Sequence, residues 1–177
     1  LGCAVHGTGA TASQAAACSG GLAFQLLIAP ASGGAAVRAL PYRAALQSGA
    51  RFALRIVAEQ PAYLYVWHRG GAPGATPEAL LPAPGDAAAP TLPQQPLVLP
   101  GEGQWFTLDN QPGKELFYVV AAREPLDSAR LTAVVAQIPT EREPPSTTSS
   151  DRIPGPTYRV AMDQSGLCRL AFVLQHQ

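Results

Sequence analysis

The segment Gly113-Lys114-Glu115 places a glycine, the only lysine of the chain and a carboxylate directly before an apolar run. A Gly-Lys pair can belong to a phosphate-binding loop, and a neighbouring glutamate can act as a general acid or base. A phosphate loop, however, needs two glycines at fixed spacing, a Ser or Thr after the lysine, and a following helix. Because an apolar strand follows here instead, we interpret Pro112, Gly113 and Glu115 as the turn that starts this strand.

Asp109, Glu115 and His68 are the groups from which a hydrolase could be assembled. A pair of carboxylates hydrolyses glycosides only at defined separations, and nothing in the sequence sets the separation of these two. A hydrolase is therefore a third hypothesis, which requires the three side chains to converge in one cleft. The simpler expectation is that Asp109 caps its own turn and that Glu115 pairs with an arginine of a neighbouring strand. Candidate arginines are Arg51, Arg55 and Arg123.

The sequence contains no recognisable arrangement for metal binding or nucleophilic catalysis. His6, His68 and His176 lie far apart, and there is no C-x-x-C motif or Cys/His cluster. There is also no G-x-S-x-G elbow, and Ser165 belongs to a turn of the type Gln-Ser-Gly. We therefore expect no catalytic residue, no metal site, no cofactor and no enzyme activity.

Four aromatic residues could form a binding strip. Tyr63, Tyr65 and Trp67 alternate along one predicted strand and so share a face, and Trp105 lies on another predicted strand. Exposed Tyr and Trp rings can stack on sugars or on a partner chain, whereas buried rings would form an aromatic layer of the core. Both interpretations stay open, and the strip requires rings that are coplanar and exposed to solvent.

The three cysteines, Cys3, Cys18 and Cys168, are candidates for covalent links. A disulfide between Cys18 and Cys168 would tie the N-terminal segment to the last strand and stabilise by about 5 kcal/mol in the chain-entropy model. The alternative is three unpaired thiols. Leu1-Gly2-Cys3 resembles the end of a bacterial lipobox, which makes Cys3 a candidate for lipidation or for an intermolecular disulfide.

Charge and hydropathy exclude several classes of partner. Twelve basic and twelve acidic residues cancel, and there is no basic stripe that would attract nucleic acid or an anionic membrane. No apolar run approaches the roughly 20 residues that cross a bilayer as a helix. We therefore expect protein partners, including other copies of this chain, and membrane attachment only if Cys3 is lipidated.

The 17 glycines and 18 prolines are spread along the chain, which disfavours long helices and favours short strands joined by turns. We predict a mainly β fold, an antiparallel β-sandwich of about seven to nine short strands, with one short helix near 127–138. The expected organisation is a low-complexity tail (1–21), a sandwich domain (22–138), a Pro/Ser/Thr-rich linker (139–156) and a C-terminal hairpin (157–177) that packs on the same domain.

Several short motifs follow one another between about residues 46 and 127. They include Tyr63-Leu64-Tyr65-Val66-Trp67, Leu80-Leu81-Pro82, Leu97-Val98-Leu99-Pro100-Gly101 and Pro112-Gly113-Lys114-Glu115. In this order they resemble the bacterial family called domain of unknown function 4384, although that family usually has Leu-Phe-Pro where this chain has Leu-Leu-Pro. The resemblance implies a non-catalytic β-domain of envelope, secreted or surface-associated proteins, and it implies no catalytic residues.

These observations favour a non-enzymatic, extracytoplasmic subunit with a structural or protein-interaction role in a bacterial envelope or surface assembly, such as a filament or a secretion system. The expected location is the periplasm, the outer membrane or the cell surface. The alternative is a module that binds a small ligand or a glycan through Tyr63, Tyr65, Trp67 and Trp105.

Overall fold

The structure is a computed structural model that describes residues 20–30, 36–140, 142–148 and 153–177. Within these residues the protein is mainly β, with twelve strands and one helix. In chain order the strands are β1 (Gly21–Ile28), β2 (Arg38–Leu40), β3 (Ala45–Leu46), β4 (Arg51–Ala58), β5 (Tyr63–Arg69), β6 (Glu78–Leu81), β7 (Pro96–Leu99), β8 (Phe106–Thr107), β9 (Gly113–Ala122), β10 (Ser146–Thr148), β11 (Pro156–Ala161) and β12 (Leu167–His176). The helix α1 (Ser128–Ala136) follows β9.

The strands form two sheets that face each other. The first sheet has the order β10-β11-β1-β4-β7, with β2 beside β1 and β8 beside β4, and the second has the order β3-β12-β9-β5-β6. Among the paired strands, β3 and β12 run parallel and the other pairs run antiparallel. The predicted β-sandwich is confirmed. The number of strands is higher than predicted. Four short segments without a clear strand pattern in the sequence, β2, β3, β6 and β10, also pair with neighbouring strands.

Aromatic rings join the two sheets across the core. Phe24 of β1 contacts Phe172 of β12, with ring centroids 5.2 Å apart, and Phe52 of β4 contacts Phe117 of β9 at 5.5 Å. Because strand side chains alternate between the two faces of a sheet, these residues fix which face of each strand points inward. Burial of one such side chain stabilises the fold by about 1.5–3 kcal/mol.

The helix lies next to the outer face of the second sheet. Asp127 caps it, since its carboxylate accepts a hydrogen bond from the Arg130 N–H at 2.8 Å. The chain before the cap is held to β5, because the Leu126 N–H donates to the Tyr65 hydroxyl at 2.7 Å. Leu131 and Val134 are the buried residues of the helix. The predicted helix near 127–138 is therefore confirmed.

The predicted C-terminal hairpin is wrong. β11 pairs with β1 in the first sheet, whereas β12 pairs with β9 in the second, so the turn at 164–166 carries the chain between sheets. The alternation of each segment predicts a strand but does not specify its partner. The predicted linker 139–156 contains β10, which pairs with β11. Of the predicted tail 1–21, residues 1–19 lie outside the described residues.

Candidate functional site

The candidate site is a cleft of about 230 Å³ at one end of the sandwich, between the two sheets. Its apolar wall consists of Phe52, Leu80, Phe106, Leu108 and Phe117. His68, Asp109 and Glu115 also line it, together with Gly70 and Thr107. The three side chains that a hydrolase would require thus converge in one cleft, as that hypothesis demanded.

Glu115 is the buried polar group of this cleft, with 4% of its surface exposed. Its Oε2 lies 2.5 Å from His68 Nε2, and its Oε1 accepts a hydrogen bond from the Gly71 N–H at 3.1 Å. Burial raises the pKa of the Glu115 carboxyl, but the hydrogen bond and positive charge of His68, the Gly71 N–H and His176 together lower this pKa below its ordinary value. Glu115 is therefore a carboxylate at neutral pH.

The predicted arginine partners of Glu115 are wrong, because histidines occupy their place. Arg55 donates instead to the Gln25 side chain at 3.1 Å, and Arg123 contacts the sulfur of Met162 at 3.2 Å. Arg51 faces Thr107 in the register of β4 with β8. Alternate residues of a strand lie on the same face, so Glu115 and Phe117 both point inward from β9. The Glu115 side chain therefore points away from side chains on the outer faces of the sheets.

His68 is positioned by the alternation of β5. Leu64 and Val66 point into the core, so His68, two residues further on, points inward at the sheet end. Its ring stacks on Phe117, with centroids 4.8 Å apart and planes 24° apart. The side chain is 28% exposed, so one edge of the ring reaches the cleft while another contacts the buried carboxylate.

A close approach between two glycines allows the Gly71 N–H to reach Glu115. A Cβ atom placed on Gly113 would lie 2.5 Å from the Gly71 oxygen and 2.7 Å from its Cα. A Cβ on Gly71 would meet the Gly113 Cα at 2.7 Å. Because side chains cannot be accommodated here, both positions require glycine. The Pro112-Gly113 turn at the start of β9 therefore permits the close backbone approach that brings the Gly71 N–H to Glu115.

His176 connects Glu115 to a serine at the surface. The His176 side chain is completely buried, and its Nδ1 lies 3.4 Å from Glu115 Oε1 and 3.9 Å from Asp109 Oδ1. On the other side of the ring, His176 Nε2 lies 3.0 Å from the Ser48 hydroxyl oxygen, and Ser48 is exposed. Ser48, His176 and Glu115 thus form a Ser-His-carboxylate array.

Three backbone amides next to the Ser48 hydroxyl are already donated and so cannot serve the oxyanion of an acyl-transfer reaction. The Ser48 N–H donates to the Gln177 carbonyl, the Gly49 N–H to the Leu108 carbonyl and the Ala50 N–H to the Gln47 carbonyl. An oxyanion hole needs donors that are directed at the reacting carbonyl. These three amides of the turn are committed elsewhere, so the array has the nucleophile and the base of a serine hydrolase but draws no oxyanion donor from these three positions.

Asp109 has the predicted local role and also lies close to His176. Its Oδ1 accepts from the Gln111 N–H at 2.8 Å, which closes the turn, and the side chain is 63% exposed. A second depression, lined by Glu78 and Gln111, shares His68 and Gly70 with the cleft. Three carboxyl groups, Glu78, Asp109 and Glu115, therefore line the two depressions that His68 borders, and Glu115 is the one in contact with its ring.

The four aromatic residues of the predicted strip are divided between different places. Tyr65 is buried, and Tyr63 and Trp67 are partly buried against the main core. Trp105 packs in a separate apolar cluster with Leu27, Ala39 and Ala53. The three residues on β5 share the outward face, as their alternation predicted, but Trp105 is not part of that group.

Among the cysteines, Cys168 is described by the structure, whereas Cys3 and Cys18 lie outside the described residues. Within the described residues Cys168 has no disulfide partner, and its buried S–H donates to the Val160 carbonyl at 3.4 Å. Burial, with a smaller contribution from the Asp163 charge, raises the pKa of this thiol to about 12. The Cys18–Cys168 disulfide and the lipidation of Cys3 stay predictions.

Sequence reasoning missed Ser48 and His176. His176 was treated only as one of three isolated histidines, although it continues the inward-facing series of Phe172 and Leu174 on β12. This alternation along β12 could have predicted that the His176 side chain points inward, toward Glu115. Ser48 gives no comparable signal, because its contact with His176 spans 128 positions of the sequence.

Within the described residues, no group of three His, Cys, Asp or Glu side chains has the arrangement of a metal site, and no helix is long and apolar enough to cross a membrane. No protein-family model, curated protein or solved structure matches this chain significantly. The resemblance to domain of unknown function 4384 stays a prediction.

Proposed function

We propose that this chain is a non-enzymatic, extracytoplasmic interaction subunit of a bacterial surface assembly, and that it binds its partner through the cleft at the Glu115 end. The observation that carries the proposal is the convergence of His68, Asp109 and Glu115 on one apolar cleft. An apolar cavity with a few convergent polar groups and a perturbed carboxyl pKa is the usual form of a binding site.

The remaining described surface supports this choice of site. Among the described residues, Leu92 is the one large hydrophobic side chain in the exposed class, at 67% exposed, so these residues present no broad apolar patch of the kind used for docking. Binding is favoured over catalysis because the amides around Ser48 are committed to other carbonyls.

The chemistry of the cleft favours a partner with a basic side chain. The cleft has two carboxyl groups, Asp109 and Glu115, against the single imidazole of His68. The aromatic rings of Phe52, Phe106 and Phe117 would surround the apolar stem of a lysine or arginine. Such rings also attract cations at their faces. A carboxylate-bearing ligand would be repelled by the same groups.

Three probes that share one aromatic ring test this proposal. Benzylamine, benzyl alcohol and phenylacetate differ mainly in charge, and we expect calorimetric affinities for the full chain to fall in that order. The variant Asp109→Asn keeps an oxygen that can accept from the Gln111 N–H, so it should fold and should weaken benzylamine binding by about 2- to 5-fold. Equal binding of all three probes, or binding of none, would contradict the proposal.

A further inference from the structure

The surroundings of His176 determine which of its ring nitrogens carries hydrogen. Its Nδ1 faces two carboxylates, Glu115 Oε1 at 3.4 Å and Asp109 Oδ1 at 3.9 Å. A lone pair directed at carboxylate oxygens would be repelled, so Nδ1 carries the hydrogen. In the neutral ring Nε2 is then an acceptor, and the hydrogen bond of 3.0 Å is donated by the Ser48 hydroxyl. This is the tautomer in which an imidazole can remove a proton from serine.

From this arrangement we propose that Ser48 is an acyl-acceptor serine, which takes an acyl group from an activated ester or thioester. Ser48 Oγ attacks the carbonyl carbon of the donor and its proton moves to His176 Nε2. The bond from the carbonyl carbon to the leaving oxygen or sulfur then breaks, and His176 returns the proton to that leaving group. The products are an ester on Ser48 and a free alcohol or thiol, so the reaction consumes no other reactant.

The geometry favours a lasting modification over repeated hydrolysis. An activated donor has a good leaving group, whereas the resulting serine ester is an ordinary alkyl ester with a poor one. Hydrolysis of this ester would depend on an oxyanion hole, in which each donor contributes roughly 10²- to 10³-fold in rate. The N–H groups of Ser48, Gly49 and Ala50 are already donated to other carbonyls. We therefore expect acylation to proceed once per chain.

The position of Ser48 suits such a reaction. Ser48 is exposed in the turn between β3 and β4, so a donor can approach it from solvent. His176 lies behind it and is completely buried, which protects the base from the solvent and fixes its ring. Glu115, which orients the ring, is held in turn by His68 and by the Gly71 N–H. This reaction shares Glu115 with the cleft, but its nucleophile, Ser48, lies outside the cleft lining, so the reaction can be tested separately from the proposed binding.

The test uses the full chain and p-nitrophenyl butyrate as the donor. We expect a burst of about one nitrophenolate per chain, a stable butyryl adduct by intact mass, and assignment of that adduct to Ser48 by peptide mapping. The variant Ser48→Ala should abolish the burst, and it should fold because Ser48 is exposed. Ser165→Ala is the matched control, since Ser165 is also exposed but its hydroxyl contacts the Asp163 carboxylate instead of an imidazole. This control should leave the burst unchanged.

The role of His176 is tested by His176→Gln, which should slow acylation by about 100-fold. Because His176 is buried, a second measurement on the unaltered chain covers the case in which this variant does not fold. Transfer of the proton to Nε2 should make the burst slower in D₂O than in H₂O. An adduct on another residue, an equal rate in the two solvents, or continuous release of nitrophenolate beyond one equivalent would overturn the proposal.

Discussion

His68 and Glu115 face each other from neighbouring strands, with His68 Nε2 2.5 Å from Glu115 Oε2. The pair lies at the end of the sandwich, where β5 ends and β9 begins. It brings a buried carboxylate and a partly exposed imidazole to the same cleft. The stability of this end of the fold and the chemistry of the cleft therefore depend on the same contact.

Replacement of Glu115 by glutamine should destabilise the protein by about 2 kcal/mol, because hydrogen bonds to a charged acceptor contribute roughly 1.5–3 kcal/mol. The Gln amide has one accepting oxygen for the two positions at His68 and the Gly71 N–H, so in either orientation one of these contacts is lost. Urea denaturation at pH 7 measures this change. Glu102→Gln is the control, since Glu102 is exposed, and it should change the unfolding free energy by less than about 0.5 kcal/mol. Equal effects of the two substitutions would contradict a structural role for the contact.

The acid sensitivity of the fold should depend on Glu115. Its pKa in the folded protein lies below the ordinary value of 4.5, because His68, Gly71 and His176 outweigh the opposing effect of burial. The unfolded chain then binds a proton more readily, so this contribution to stability is present above pH 4.5 and is lost as the pH falls through the folded-state pKa.

Urea midpoints between pH 7 and pH 3 test this dependence in the unaltered protein and in Glu115→Gln. The variant should lose less stability than the unaltered protein over the acid part of this range. Some acid sensitivity should persist, because the pKa of Asp163 is also lowered: burial raises it, but hydrogen bonds from Ser165 and Leu167 and the charge of Arg169 prevail. If the stabilities of the two proteins fall in parallel as the pH is lowered, Glu115 does not have the inferred pKa.

Gly113→Ala should destabilise the protein by about 1–3 kcal/mol, because the added Cβ would lie 2.5 Å from the Gly71 oxygen. Gly70→Ala is a matched control, since its Cβ would meet Glu115 Oε2 at 3.8 Å, an ordinary contact distance. Thermal or chemical denaturation of both variants gives the comparison. If Gly113→Ala is no less stable than Gly70→Ala, the close approach of the two backbones is not present in solution.

Cys168 should resist alkylation in the folded protein and react once the protein unfolds. Burial raises the pKa of its thiol to about 12, so almost no thiolate is available near neutral pH. The extent of Cys168 labelling is measured in the folded and in the unfolded protein by iodoacetamide treatment without reductant, followed by mass mapping. Labelling of Cys168 in urea would show a free thiol, whereas labelling only after reduction would show that it is paired and would support the predicted bond to Cys18.

The sequence was informative where a local pattern determines structure. The alternation of Phe52, Leu54 and Ile56 is typical of a half-buried strand and matches β4, and the spacing of Leu131 and Val134 is typical of the helix predicted near 127–138. The turn at Gly113 was recognised as the start of a strand, but the reason for its glycine was not visible. That reason is a backbone contact with Gly71, a residue 42 positions away (113 − 71) in a different loop.

The candidate site depends on pairing between distant strands, which one sequence does not specify. His68 and Glu115 were named together as candidate hydrolase groups, but nothing in the sequence showed that they touch, and their contact exists only because β5 pairs with β9. The predicted hairpin failed for the same reason, since β11 and β12 read as neighbours but pair in different sheets. Short strands such as β3 also have too few residues for any periodic signal, and β3 leads into the turn that carries Ser48.

The most direct test of the proposed function is to locate benzylamine on the full chain by intermolecular nuclear Overhauser effects. The account predicts contacts from the ligand ring to the rings of Phe52, Phe106 and Phe117, because these side chains line the cleft together with Asp109 and Glu115. Contacts confined to the face that carries Tyr63 and Trp67, or an absence of contacts at a concentration that saturates the chain, would contradict it.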